Sequence, residues 1–377
     1  GRAEGRAREM TRFAYAHAGG ADWEHCVAQC AERIGRPQRG LGFVYFTEAL
    51  APQAERVVAA LRLRTGVEDW VGTVGVGVLA TGVEYQDEPA LVAMVAALAP
   101  QDYRVFSGRT RLPPTGEQAA HFAVVHADPL APDVAGLVAD MASKVDSGYL
   151  VGGLSSSRTQ TVQVANDVVA GGLSGVVLAP AVRVSTRLTQ GCAPLPAPGI
   201  ASGVGRYRVT ACEDNVIAEL DGRPALDVFR EAVGDLLARD LRRAASFVLA
   251  GLPVRGSDTG DYLVRNLVGI DLRNKLIAIG DVVGQGDELI FCRRDAASAE
   301  QDLRRMLAEL RACGPAPRGA LYYSCLGRGE HMFGRRGAEM ELVREALGDV
   351  PLVGFFCSGE ISHDRLYGYT GVLTIFH

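Results

Sequence analysis

The sequence predicts an α+β fold: antiparallel-rich sheets with helices packed on them, in two modules built from repeated strand–helix–strand–strand units. Three observations predict it. Short apolar runs bounded by turn residues alternate with helical stretches. The order strand, helix, glycine-rich strand, strand recurs three times along the chain. A Val-Gly step falls at the same place in each recurrence, at Val71-Gly72, Val151-Gly152 and Val353-Gly354.

The first copy opens on a short buried strand, Gly42-Phe-Val-Tyr-Phe46. A helix over 52–64 follows, then the glycine-rich strand 70–78 and a further strand over 89–98. The second copy has a strand at 122–126, a helix over 133–144, the glycine-rich strand 149–156, and strands at 161–164 and 175–178. The third has a strand at 319–324, a helix over 339–347, the glycine strand 352–356 and a closing strand at 368–376. Glycine inside a strand marks a bulge or a close backbone approach. Three such places point to a second layer or a ligand against that strand. Short loops join the strands that follow, so those strands are expected to be antiparallel. Between copies two and three the pattern changes. A proline-rich connection spans 191–199, strands follow at 206–212 and 216–220, Asp221-Gly222 is a turn, and Pro224 opens a helix over 225–237. The domain boundary is placed near Gly222.

Composition bounds the function. The chain has 377 residues, 48% of them hydrophobic and 22% charged, which suits about two globular domains. A net charge of −5 provides no field for phosphates, so a nucleic-acid partner is not expected. The longest uncharged apolar stretch, 168–182, contains three glycines and a proline and is shorter than a spanning helix, so no membrane partner is expected. The arginine-rich start, Gly1–Glu9, lacks the apolar segment of a signal peptide, and Met10 looks like a natural start. Residues 1–22 are read as a leader plus a first strand, and the location as cytoplasmic. Eight cysteines in such a chain are expected as free thiols. Cys26 and Cys30 share a helix face beside His25, as core thiols or a small metal or redox site.

No hydrolase elbow and no phosphate loop in strand–loop–helix context is present, and the seven histidines form no metal-ligand spacing. The C-terminal half is richer. Tyr262-Leu-Val-Arg-Asn266 puts Arg265 and Asn266 into a strand among apolar neighbours, where an arginine needs an acidic partner or an anionic ligand. A strand after Gly284 ends in Arg294-Asp295. Cys325-Leu-Gly-Arg-Gly329 sets Cys325 and Arg328 just past one buried strand, and Gly354-Phe-Phe-Cys-Ser-Gly-Glu360 sets Glu360 just past another. Each has a structural reading as well. Arg265 and Arg294 serve equally as strand-tying ion pairs, Cys325 and Cys357 as core thiols, and Glu360 as a loop cap or the partner of Arg328.

The ordered set Gln190-Gly-Cys192, Asn215-Val-Ile, Glu219-Leu-Asp-Gly222, Pro224-Ala-Leu226, Tyr262-Leu-Val-Arg-Asn266, Gly286-Asp287, Arg294-Asp295, Cys325-Leu-Gly-Arg-Gly329 and Gly354-Phe-Phe with Gly359-Glu360 resembles FIST-domain proteins. It covers an N-terminal module over 23–222 and a C-terminal module over 223–377. The resemblance implies a cytoplasmic sensory protein of bacterial signal transduction, not an enzyme. Its expected ligand is an amino acid or other small carboxylate. Its expected partner is a separate signalling protein such as a histidine kinase or a cyclic-dinucleotide enzyme.

The expected ligand site comprises Arg265, Asn266, Arg294, Cys325, Arg328, Gly354 and Glu360, in a cleft between the modules lined mainly by the C-terminal one. Arg328→Ala is expected to weaken binding and leave the chain folded. Some FIST proteins bind haem and sense nitric oxide. The cofactor is therefore open, with His331, His363 and His126 as alternative iron ligands, although none lies in a motif that aligns with the family's. A third reading makes Cys325 the nucleophile of an enzyme, with His331 as its base.

Overall fold

The computed structural model describes residues 12–108, 120–200, 202–255 and 260–377; Gly1–Glu9 and Met10 lie outside them. The chain divides into two compact units, one running to Thr189 and resuming at Glu300–His377, the other Gln190–Ala299. The turn at Gly222, where the two sequence modules meet, lies inside the second unit.

The three copies gather in the first unit. The first consists of β1 (Ala14–Gly19), α1 (Trp23–Ile34), β2 (Leu41–Thr47), α2 (Ala54–Thr65), β3 (Asp69–Gly75), the hairpin β4 (Gly77–Ala80) and β5 (Val83–Gln86), and β6 (Ala90–Ala96). The second consists of β7 (Tyr103–Phe106), β8 (Phe122–Ala127), α3 (Val134–Ser143), β9 (Tyr149–Leu154), the hairpin β10 (Gln163–Ala165) and β11 (Asp167–Val169), and β12 (Leu173–Leu178). The third starts at β13 (Val184–Gln190) and is then interrupted by the second unit. That unit holds β14 (Cys192–Pro194), β15 (Arg206–Glu213), β16 (Val216–Leu220), β17 (Arg223–Pro224), α4 (Ala225–Ala238), α5 (Leu241–Phe247), β18 (Val248–Pro253), β19 (Tyr262–Asp271), β20 (Leu276–Ile279) and β21 (Glu288–Arg294). The third copy resumes with α6 (Ala296–Ala312), β22 (Gly319–Cys325), the one-turn α7 (Glu330–Phe333), α8 (Ala338–Leu347), β23 (Leu352–Cys357), the hairpin β24 (Glu360–His363) and β25 (Arg365–Tyr367), and β26 (Thr370–Phe376).

Each copy builds a sheet in the same way. Its strand–helix–strand core is parallel, β2 on β3, β8 on β9 and β22 on β23, and the return strand pairs antiparallel on the far side. The hairpin then crosses to another copy: β10 pairs with β3, β24 with β9, and β4 with β23. The three six-stranded sheets are therefore interlocked in a cycle. The glycine strand expected over 70–78 is two strands, because the chain leaves one sheet after Gly75 and enters another at Gly77.

The Val-Gly steps mark a close approach, but not to a ligand or a second layer. Gly72, Gly152 and Gly354 stand opposite Val44, Val125 and Tyr322 in the parallel pairs. A Cβ at these glycines would lie 1.6, 1.8 and 1.6 Å from the opposing carbonyl oxygens. No side chain fits there.

Both faces of the central strands are buried, which is why they read as continuous apolar runs rather than alternations. Inward-facing Phe43, Tyr45, Val124, Leu321, Tyr323 and Phe355 join one shared core between the three sheets. Outward-facing residues pack under helices: Val44 and Phe46 under α1 and α2, Ala123 and Val125 under α3, and Tyr322 and Phe356 under α6 and α8. The second unit is different. Strands β21, β15, β16, β20, β19 and β18 pair antiparallel in a closed ring, a six-stranded barrel filled by Val209, Ile217, Ile277, Leu289 and Phe291 with Phe229 of α4.

Candidate functional site

Buried charge in the described residues concentrates where β22, β23 and β24 of the third copy end. Glu339 stands in the first turn of α8, where the helix's unsatisfied N–H groups favour an anion. It is fully buried and accepts from Tyr322 Oη, Ser324 Oγ (3.0 Å), Arg328 Nε (2.9 Å) and Gly329 N (3.1 Å). Arg328 is equally buried, its guanidinium 5.2 Å from the Phe333 ring centroid. Its Nη1 and Nη2 have no partner. Glu360, also fully buried, accepts from Thr370 N (3.0 Å) and Thr370 Oγ1 (2.8 Å) through Oε1, while Oε2 has no partner. Burial pushes the Glu360 carboxyl up to about 8, against the pull of the Thr370 hydrogen bonds and of Arg328. Near neutrality it is therefore a hydroxyl donor.

The first copy completes the cluster. Glu84 of β5 accepts from Gly337 N and from Met340 N (3.3 Å), giving the α8 N-terminus a second carboxylate. Burial and the charge of Glu339 push it up to about 7. Gln86 of β5 accepts from Glu330 N at 3.0 Å. The arrangement holds one guanidinium with two unused nitrogens and one carboxyl with an unused oxygen, all buried.

The sequence-predicted residues divide between the two units. Cys325, Arg328, Gly354 and Glu360 lie in the first; Arg265, Asn266 and Arg294 lie in the second. Arg328 pairs with Glu339 and not with Glu360. Truncating it would leave the Glu339 carboxylate buried without its guanidinium, so Arg328→Ala is expected to destabilise the fold. Gly354 serves strand packing. Cys325 and Cys357 face each other across β22 and β23, and burial raises both thiols, the opposite of what a nucleophile needs. Arg265 binds Asp281 at 2.9 Å, the ion-pair reading of that residue. Asn266 and Arg294 are exposed on β19 and β21.

His126 does not offer iron an open position. His126 is fully buried in the shared core, its Nε2 2.9 Å from Tyr45 Oη, which lies 2.7 Å from Tyr323 Oη. Tyr45, His126 and Tyr323 occupy the same register position of β2, β8 and β22, one residue past the carbonyl that faces each glycine. The Phe355, Tyr45 and Tyr323 rings stand 5.3–6.1 Å from the imidazole, leaving no space for a macrocycle, and burial holds the ring down to about 3. His331 is exposed on α7. His363 stands 2.8 Å from Asp364 at the surface. The described residues hold no cluster of histidine, cysteine or acidic groups able to bind a metal, and no helix among them is long and apolar enough to cross a membrane.

Sequence reasoning missed Glu339, Glu84, Gln86 and Thr370. A glutamate in a helix's first turn ordinarily faces solvent, so only the partners from β22, Arg328 and Gly329 reveal its burial.

Comparison with known proteins places most of the chain in one family. The FIST N domain matches residues 40–223 and the FIST C domain residues 225–363. An uncharacterised protein of Mycobacterium tuberculosis is 31% identical over 373 residues, covering 93% of this chain and 94% of the relative. An uncharacterised protein of Mycobacterium bovis is 29% identical over 380 residues, with the same coverage.

Proposed function

The chain belongs to the FIST family, and we propose that it is a sensory protein that binds a small carboxylate at the Arg328 cluster and reports to a separate signalling partner. FIST domains are generally sensory modules of signal transduction. One observation carries the choice of ligand. Arg328 Nη1 and Nη2 are buried without a partner, as is one oxygen of Glu360, whose carboxyl feels the Arg328 charge. Each buried unsatisfied donor costs about 1–3 kcal/mol, more when charged. A carboxylate satisfies both guanidinium nitrogens at once by a bidentate contact, and the Glu360 hydroxyl adds a third donor. An amino acid or simple organic acid has the right charge.

The cluster draws on Glu84 and Gln86 of the first copy as well as on the third, so it joins FIST N to FIST C sequence. That is a route by which occupancy changes what a partner reads. The test is calorimetry and thermal unfolding of the full chain against amino acids and short organic acids, with mass spectrometry of the filtrate after denaturation. A carboxylate is expected to co-purify or to raise the unfolding midpoint. Arg328→Lys, which keeps the charge on Glu339 but loses the bidentate fork, is expected to fold and to lose that response. If no acid stabilises the protein and none is released, or if Arg328→Lys responds as the wild type does, the proposal fails.

A further inference from the structure

We propose that Cys192 and Cys292 form a reversible disulfide, a modification site in the second unit separate from the Arg328 cluster. The unit begins at β14 and its last strand is β21, and these two pair antiparallel. Cys192 stands opposite Arg294, and Cys292 opposite Pro194. The cysteines are therefore diagonal neighbours across the strands by which the chain enters and leaves the unit. Both are free and buried, and their side chains lie on the same face of the two strands.

Diagonal neighbours lie about 7–8 Å apart at Cα, and a disulfide needs them within about 7 Å. One strand must slide slightly, and β14 is the one able to. It is three residues long, ends the strand order, pairs with no strand but β21, is further tied by Tyr262 Oη donating to the Cys192 carbonyl, and runs into a proline-rich stretch. β21 is held by β15 and β18 besides. Cys292 also reaches the Leu249 carbonyl at 3.6 Å. Cys292 sits inside the sheet between β14 and β18, so it is not the thiol that a peroxide reaches first. Cys192 is, when the short strand lifts.

The co-reactant is a hydroperoxide. The Cys192 thiolate attacks its O–O bond and becomes a sulfenic acid, and hydrogen peroxide is thereby reduced to water. The Cys292 sulfur then displaces hydroxide from the Cys192 sulfur, forming the S–S bond, and the departing hydroxide takes the Cys292 proton as a second water. Two thiol hydrogens and two electrons have passed to one peroxide. The bridge closes a loop of roughly 100 residues, nearly the whole unit, and cross-links constrain an unfolded chain most when the loop is long.

The full chain is treated with dilute hydrogen peroxide, quenched in acid, alkylated under denaturing conditions, digested and weighed. The expected product is a peptide pair joined through Cys192 and Cys292, two hydrogens lighter than the free peptides and separated by dithiothreitol. Cys192→Ser and Cys292→Ser are each expected to abolish it. Recovery of both cysteines as alkylated thiols overturns the proposal. So does a bridge between the facing Cys325 and Cys357 instead, or oxidation of either Cys192 or Cys292 to a sulfinic acid without a bridge. The wild-type digest decides the matter even if a serine variant fails to fold.

Discussion

Glu360 holds its proton in the folded chain up to about pH 8, whereas an unperturbed glutamate loses it near 4.5. Between those values the folded state binds more protons than the unfolded one. Stability contributed this way is complete below about pH 4.5 and is lost as the pH rises through 8. Glu84, held up to about 7, acts in the same direction over a narrower window. Buried neutral His126, held down to about 3, acts in the opposite direction below its ordinary value near 6.5, so the unfolding midpoint is expected to fall between about pH 6.5 and 8. Glu360→Gln, which keeps an acceptor for Thr370, should flatten most of that fall, and a pH series of thermal melts checks it. Arg328→Ala is expected to cost about 3–5 kcal/mol by leaving Glu339 buried without its guanidinium, which denaturant titration would show. Gly72, Gly152 and Gly354 are a third kind of residue, defined by what they lack. Alanine at any of them puts a methyl group inside 2 Å of a backbone oxygen. Each variant is expected to be insoluble or to lose cooperative unfolding.

The third copy's outer core rests on α6, where Leu303, Met306, Leu307 and Leu310 pack on Tyr322, Leu352 and Leu373. Leu307→Ala is expected to cost about 2–5 kcal/mol, by the lost burial and the cavity left behind. That helix was absent from the sequence reading although its apolar residues recur at i, i+3, i+4 and i+7. The repeat count was read from strands and glycines, and α6 lies on the far side of the interruption. The strand–helix–strand cores were legible because length and turn residues mark short buried strands. The hairpin exchange was not, because pairing partners lie hundreds of residues away and leave no local periodicity. The glycine steps were visible as close approaches, but a sequence does not say what approaches. Arg328 and Glu360 were legible as charges at strand ends, whereas their buried neighbours Glu339 and Glu84 read like any surface acid.

At the scale of the molecule, three interlocked sheets mean that no copy completes itself. A chain stopped at Gly222 lacks β23 for β4 and β24 for β9, so it is expected to show no cooperative transition in calorimetry. The second unit should be removable. Cys192 and Arg294 are register partners, so its entry and exit are about 5.5 Å apart or less. Replacing 192–294 by a short glycine–serine bridge is expected to leave the first unit folding cooperatively.

The exchange of hairpins also sets a timetable on the ribosome. The hairpin at Gly77–Gln86 emerges with its partner strand, Leu352–Cys357, still unsynthesised roughly 270 residues downstream. At ~5–20 residues per second the wait is about 15 to 55 s. Through that interval the nascent chain carries unpaired strand edges on two sheets, each a template for a wrong neighbour. The strands over 352–376 act as a latch on the sheets made before them, and what shields those edges until the latch closes, a holdase or the pace of translation itself, governs how much of the product is usable.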